Sequence, residues 1–319
     1  MKSIDVLYTA DHNYVKMMSI SLYSLLSANS NLKINVHIVH DQFEPDDFQL
    51  VEKIVSQFEN ATVTFHDFDP IKAKIEKFEI PNWRGTKIAN ARLFFSDVVK
   101  DADQLLYLDS DTFVIGKIHN LKIYDAPINM VRDMMPRKEI NKLGYNLQHY
   151  YNSGVLWVNM SEWHKNECDK KIADTLNKRV KLVFPDQDAL NIALRDDIKP
   201  MSPKYNLFSN DSYYSIPFLF MYYKESDIER YSKEEMRDAK DNAIILHATP
   251  IAFLKEYTFK DPLHPYYHLY KRYMKLLDPE FIPDERSNLS EKIMMDLGLH
   301  LKVVIPRPVR QKIKKIIKK

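Results

Sequence analysis

The chain has 319 residues, 45% of them hydrophobic and 12% aromatic, enough for one large core or for a core with a smaller appendage. With 46 basic against 44 acidic residues the net charge is only +2, which gives no reason to expect a nucleic-acid binder. Cys168 is the only cysteine, so no internal disulfide can form, and no run approaches the ~18 apolar residues of a membrane span.

The N-terminal segment MKSIDVLYTA alternates too early and too briefly for a secretory signal, and IDVLY (4–8) reads as a first strand. A soluble, cytoplasmic protein is expected. Apolar residues at helical spacing predict a helix over 15–28, followed by a strand at 34–39 and a helix at 45–58 that opens with Pro and acids. ATVTFHDF (61–68) alternates as a third strand, TKIANARLFFSDVV (86–99) reads as a helix, and QLLYL (104–108) as a fourth strand. This β-α-β order predicts an α/β fold with a mainly parallel sheet flanked by helices. Beyond residue 200 the pattern loosens: Pro200, Pro203, Pro217, Pro250, Pro262, Pro265, Pro279 and Pro283 divide short aromatic-rich pieces, with a helix near 266–277. The expected division is a catalytic domain over 1–260 and a smaller helical or irregular region over 261–319.

Neither G-x-G-x-x-G nor a P-loop occurs, so an anionic ligand has to be held by other means. YLDSDTFV (107–114) supplies a candidate, because Asp109 and Asp111 interrupt an apolar run and buried carboxylates need a counter-charge. In an extended segment residues i and i+2 face the same side, so both acids can share one hard cation such as Mg²⁺, Mn²⁺ or Ca²⁺. Ligands of such sheets bind outside the carboxyl ends of the strands. TADHNY (9–14), DSD (109–111) and Arg132–Asp133 all fall there.

The order of these motifs resembles glycosyltransferase family 8, retaining enzymes with a GT-A fold that use nucleotide-sugar donors. The resemblance runs over most of residues 1 to about 275 and rests on TADHNY, ARLFFSDVVKDADQLLYLDSDTFV (91–114), YYNSGVLWVNMSEW (150–163), DQDALN (186–191) and His247 in IILHATP. It implies that Ala10, Asp11 and Asn13 hold uracil and ribose while Tyr14 stacks on the base, an interaction worth roughly 1–3 kcal/mol. It further implies that Asp109, Asp111 and His247 ligate Mn²⁺, with Mg²⁺ as the substitute, and that Ser110 belongs to the donor-contacting set. Arg92, Asn152, Gly154, Asp186 and Gln187 would surround the donor sugar. Singly, Arg92 reads equally as a helix ion pair, Asn152 and Asp186 as caps, Tyr14 as packing and His247 as a core histidine; their shared order selects the site reading. Where the family closes its site with H-x-x-G-x-x-K-P-W, this chain has HATPIAFLKEY (247–257), with Pro250 for Gly and Phe253 for Lys. Lys255, two positions later, is the remaining candidate for the diphosphate.

The implied reaction is transfer of galactose or glucose from a UDP-sugar to a glycan, glycolipid or glycoprotein acceptor. Gln187 falls where a double displacement would need a nucleophile, and an amide is a poor one. Front-face substitution is therefore expected, with Gln187 supporting the oxocarbenium-like state and Asp133 and Asp186 binding sugar hydroxyls. A nucleotidyltransferase and a non-catalytic sugar-nucleotide-binding partner protein are the competing readings. Finally, residues 302–319 carry eight Lys or Arg and no acid, with Val309, Ile313, Ile316 and Ile317 on one helical face. That pattern suits a peripheral helix on the anionic inner face of a membrane.

Overall fold

Strand β1 (Ser3–Asp11) is buried along nearly its whole length on both faces, which marks it as central. The computed structural model describes residues 3–83, 85–118, 125–145, 147–225, 230–249 and 264–283, with scattered positions from 290 to 309. Around β1 stand β2 (Lys33–Asp41), β3 (Ala61–Asp67), β4 (Gln104–Leu108), β6 (Ile128–Arg132), β7 (Tyr151–Asn159) and β8 (Ile198–Pro200). They form a seven-stranded sheet in the order β3-β2-β1-β4-β7-β6-β8. Pairing is parallel except for β7, which runs antiparallel to both its neighbours. The expected α/β architecture is present.

Alternate residues of each strand enter opposite cores. Leu7, Leu105, Tyr107, Met130 and Leu156 pack into one apolar cluster, covered by helices that include Asp69–Lys77, Cys168–Asn177 and Pro185–Ala193. Val6, Tyr8, Leu106, Leu108 and Val155 pack into the other, beneath helices Val15–Ala28 and Pro45–Val55. A second sheet of β5 (Thr112–Val114), β10 (Ile245–His247) and β9 (Leu207–Phe208) lies beside the first. Its Phe113, Leu207 and Leu246 share a third cluster with Ile20 and with Tyr266, Tyr270 and Tyr273, the last two from helix Tyr267–Leu277.

Two sequence expectations need correction. Residues 86–99 are not one α-helix: Ile88–Phe94 is a 3₁₀ helix, followed by a single α-turn at Phe95–Val98. Side chains three apart eclipse in a 3₁₀ helix, which stacks Ile88, Ala91 and Phe94 into the same core cluster. Nor is the segment carrying Asp109 and Asp111 extended. It is a tight turn in which the Thr112 N–H and hydroxyl both donate to Asp109 O, at 3.2 and 2.8 Å.

Candidate functional site

After β1 the chain moves outward through β2 and β3, then returns to place β4 on the other side of β1. The carboxyl ends of β1 and β4 thus flank a topological switch point, where open α/β sheets bind ligands. Asp11 ends β1, and Asp109 follows the last residue of β4. The turn after β4 is fixed from below. Thr112 Oγ1 lies 2.8 Å from Ser21 Oγ, which lies 3.1 Å from the buried Tyr8 hydroxyl.

The turn feeds β5, whose Thr112 pairs with His247 of antiparallel β10. This register brings the histidine to the acids. His247 Nε2 is 3.1 Å from Asp111 Oδ1 and 3.8 Å from Asp109 Oδ2. One ligand atom from each of Asp109, Asp111 and His247 fits within 4.8 Å of the other two. Asn206 Oδ1 accepts from the His247 Nδ1–H at 2.8 Å, so the Nε2 lone pair faces two carboxylates. Acceptors this close require a cation between them, a proton or a metal ion. Burial works to lower the His247 pKa, but Asp111 and then Asp109 carry it above the ordinary histidine value. Two hard oxygens and one imidazole on one side, with a cavity on the other, fit a divalent cation that keeps open positions.

Asp109 divides its oxygens between two tasks. Oδ2 faces the histidine, while Oδ1 accepts from the Tyr107 hydroxyl at 2.9 Å and lies 2.7 Å from Arg92 Nη2. Arg92 is buried, stacks over the Tyr107 ring at 4.6 Å, pairs with Asp186 Oδ2 at 3.1 Å and donates to Ser153 O at 2.8 Å. Burial alone would disfavour its charge, but Asp109, then Tyr107 and Asp186, hold its pKa above the usual arginine range. It is a fixed cation against which both acids are ordered.

Gly154 has a spatial role. A Cβ there would stand 2.3 Å from His247 Cε1, 2.6 Å from Asp109 Oδ2 and 3.0 Å from Asn152 Oδ1. Its carbonyl also accepts from the Asp109 N–H at 2.8 Å. The glycine touches the acid–histidine cluster itself as well as standing beside the sugar-side residues.

Two cavities meet over this cluster. One, of about 310 Å³, is lined by Ala10, Asp11, Asn13, Tyr14, Arg92, Asp109, Ser110 and Asp111, with Trp83, Gly85 and Thr86 on its far wall. The other, of about 250 Å³, is lined by Arg92, Asp109, Asp111, Asp133, Asn152, Asp186, Gln187 and His247. Inside the second, Asp133 Oδ2 accepts from Asn152 Nδ2 at 3.0 Å and from Gln187 Nε2 at 3.1 Å. Gln187 Oε1 accepts from Asn152 Nδ2 and from the Ser153 N–H, both at 3.1 Å. Asp186 Oδ2 accepts from the Ser153 hydroxyl at 2.8 Å. The structure therefore brings together every sequence-predicted site residue except Lys255, which lies outside the described residues.

Sequence reading missed Asn206, which holds His247, and Trp83, which lines both cavities and packs against Phe184 at 5.1 Å between ring centroids. A tryptophan between Pro81 and Gly85 is a legible signal. Asn206 gives none until its partner is known.

The fold matches that of the galactosyltransferase LgtC crystallised with donor and acceptor sugar analogs, at a TM-score of 0.66 and 19% identity, over 88% of this chain and 98% of that one. Mouse xyloside xylosyltransferase 1 matches at a TM-score of 0.53 and 16% identity, over 78% of this chain and 99% of that one. The architecture is the GT-A fold of glycosyltransferases. The family model described as glycosyl transferase family 8 matches residues 5–250, and the chain belongs to that family. Among curated relatives, a lipopolysaccharide 1,2-glucosyltransferase of Escherichia coli is 28% identical over 263 residues, 78% of this chain and 72% of the relative. General stress protein A of Bacillus subtilis is 24% identical over 207 residues, 62% of this chain and 71% of the relative.

Proposed function

We propose that this glycosyltransferase moves a hexose, galactose or glucose, from a UDP-sugar to a glycan acceptor with retention at the anomeric carbon, assisted by Mn²⁺ or Mg²⁺ on Asp109, Asp111 and His247. The observation that carries the reading is the cluster of Asp109, Asp111 and His247, whose ligand atoms lie within 4.8 Å of one another at the junction of two cavities of suitable size for a nucleoside and a sugar. A divalent cation bound there would neutralise charge on the departing nucleoside diphosphate. The remaining work falls to side chains. Tyr14, 41% exposed on the rim, offers a face to the base, and Ala10, Asp11, Asn13 and Ser110 form the wall beside it.

In the second cavity Asp133 and Asp186 each commit Oδ2 to the protein, and their other oxygens are assigned to sugar hydroxyls. Gln187 Oε1 already accepts two N–H donors, which weakens it further as a nucleophile. Front-face substitution follows, in which the acceptor hydroxyl passes its proton to the departing phosphate oxygen and the Gln187 amide dipole supports the developing cation. The catalytic unit is assigned to residues 1–260 and a C-terminal region to 261–319, with Lys255 as the candidate diphosphate cation. The lipopolysaccharide enzymes among the relatives favour a lipid-linked saccharide as acceptor.

The test is a hydrolysis and transfer screen across UDP-sugars with Mn²⁺ or chelator. We expect chelator and Asp109→Ala to abolish turnover, and Gln187→Ala to retain a measurable fraction. Turnover indifferent to chelator would remove the metal. UDP-sugar binding without any turnover would favour a non-catalytic binder, and nucleotidyl transfer from a nucleoside triphosphate the third reading. Loss in Gln187→Ala as deep as in Asp109→Ala would remove the front-face account.

A further inference from the structure

Asn206 precedes β9, which runs parallel to β10, so it reaches the metal-facing cluster from the side opposite the acids. Its side chain is fully buried and makes two hydrogen bonds. Which amide atom points where is decided by groups that cannot exchange roles. The Gly154 backbone N–H can only donate, and it donates to Asn152 Oδ1 at 2.9 Å. The Asp133 carboxylate accepts, and Asn152 Nδ2 donates to it at 3.0 Å. Asn152 is thus held from both ends. Its Oδ1 takes a second donor, Asn206 Nδ2, at 2.9 Å. Asn206 must therefore present Oδ1 to His247 Nδ1 at 2.8 Å, and Nδ1 must carry the proton.

We propose that Asn206 is a positioning residue that fixes the His247 tautomer with the Nε2 lone pair toward Asp109 and Asp111, and that couples the cation site through Asn152 to Asp133 and Gln187. The coupling is directional. If the imidazole changes tautomer, Asn206 Oδ1 loses its donor, and an Asn206 flip that restored a donor to Nδ1 would turn Oδ1 against Asn152 Oδ1. Asn152 Nδ2 is the common donor to Asp133 Oδ2 and to Gln187 Oε1, the latter at 3.1 Å. A histidine ligand needs such an outer partner to hold its ring and tautomer, and losing one typically lowers metal affinity ~10–100-fold. Here the partner is an amide, and its second hydrogen bond extends the orientation into the sugar-side cavity.

This inference rests on the divalent-cation reading of the site, and two variants separate its halves. Asn206→Ala removes both hydrogen bonds. Asn206→Asp keeps an acceptor for His247 Nδ1 but has no donor for Asn152 Oδ1. Mn²⁺ affinity is read by titrating free Mn²⁺ by electron paramagnetic resonance, and folding by the melting temperature of each variant. We expect Asn206→Ala to bind Mn²⁺ ~10–100-fold more weakly, and Asn206→Asp to stay within about threefold of the parent while its kcat/KM on UDP-sugar falls about tenfold.

A third measurement needs no metal. Long-range ¹H–¹⁵N spectra at alkaline pH, with the signal assigned by His247→Gln, should find the proton on Nδ1 in the parent. A proton on Nε2, or Asn206→Ala binding Mn²⁺ as well as the parent, would overturn the positioning role. Equal kcat/KM in Asn206→Asp and the parent would overturn the coupling to the sugar side. A parent protein that binds no Mn²⁺ would remove the cation reading itself, while the tautomer spectrum would still decide the role of Asn206.

Discussion

Asp109 and Asp111 announced themselves in the sequence because carboxylates inside an apolar run need an explanation, and charge is the strongest signal a residue carries. What surrounds them was less legible. Arg92 could be matched by family order, yet its ion pairs to Asp109 and Asp186 depend on a 3₁₀ helix that the sequence does not distinguish from an α-helix. Asn206 carries no charge and follows a proline-punctuated piece, so nothing local marks it. Gly154 is the opposite case, a residue whose value lies in lacking atoms. Its φ is ordinary, so the constraint is one of space. Gly154→Ala would push a methyl to within 2.3 Å of the His247 ring and 2.6 Å of Asp109 Oδ2, and at least one of the two must retreat. We expect Mn²⁺ affinity to fall by at least ~10-fold while the fold survives, since the displaced groups face a cavity. An affinity within about threefold of the parent would mean that the cluster tolerates a looser geometry than its contacts imply.

The first four strands were read well, β1 and β4 from nearly continuous apolar runs and β3 from alternation, and the β-α-β rhythm then dictated a mainly parallel sheet, whereas β7 to β10 were not read as strands. Helices Asp69–Lys77, Cys168–Asn177 and Lys233–Asp241 escaped notice, each being short with few buried residues. The turn at 109–112 escaped too, because alternation alone cannot separate a strand from a reversal held by one threonine. The small sheet has its own fastening, at His264. The Tyr266 N–H donates to His264 Nδ1 at 3.1 Å, so Nε2 bears the proton and meets Ser209 Oγ at 3.0 Å. Ser209 in turn donates to His247 O at 3.2 Å. Protonating Nδ1 would break the first of these bonds inside a dry site, and burial lowers the His264 pKa from 6.5 to about 4. The sign follows directly. Below pH 6.5 the unfolded chain takes up a proton that the native state refuses, so stability falls with pH until about 4, where the native state also titrates. Between pH 7 and 5 this loss amounts to about 2 kcal/mol. Urea unfolding at the two pH values should find that loss in the parent and a smaller one in His264→Gln. Equal losses in the two proteins would place the pH sensitivity elsewhere.

Charge divides this molecule unevenly. The overall +2 conceals eight basic residues and no acid in 302–319, which leaves 38 basic against 44 acidic residues in the rest, a net of −6. An anionic surface would attract one end and repel the other, orienting the protein as well as holding it. The last segment lies almost wholly outside the described residues, and the expected face of Val309, Ile313, Ile316 and Ile317 is a sequence pattern alone. Around its start, Ile293, Leu297, Leu301 and Val304 are each helical and 48–63% exposed, and their i, i+4, i+8, i+11 spacing is that of one helical face. No helix among the described residues is long and apolar enough to cross a membrane. Apolar contact with cationic attraction is the usual recipe for lying on a bilayer, and each Lys or Arg near an anionic surface contributes about 1 kcal/mol. We infer peripheral attachment through this end, which would also set the site near a lipid-linked acceptor. The protein should sediment with vesicles rich in anionic lipid, should be released by salt because exposed charges are screened over about 10 Å at 0.1 M, and should not sediment with neutral vesicles. Removing 302–319 should leave UDP-sugar hydrolysis intact and shift the protein to the supernatant. A truncated protein that still sediments would transfer the attachment to another surface, and one that loses hydrolysis would give the tail a part in the active fold.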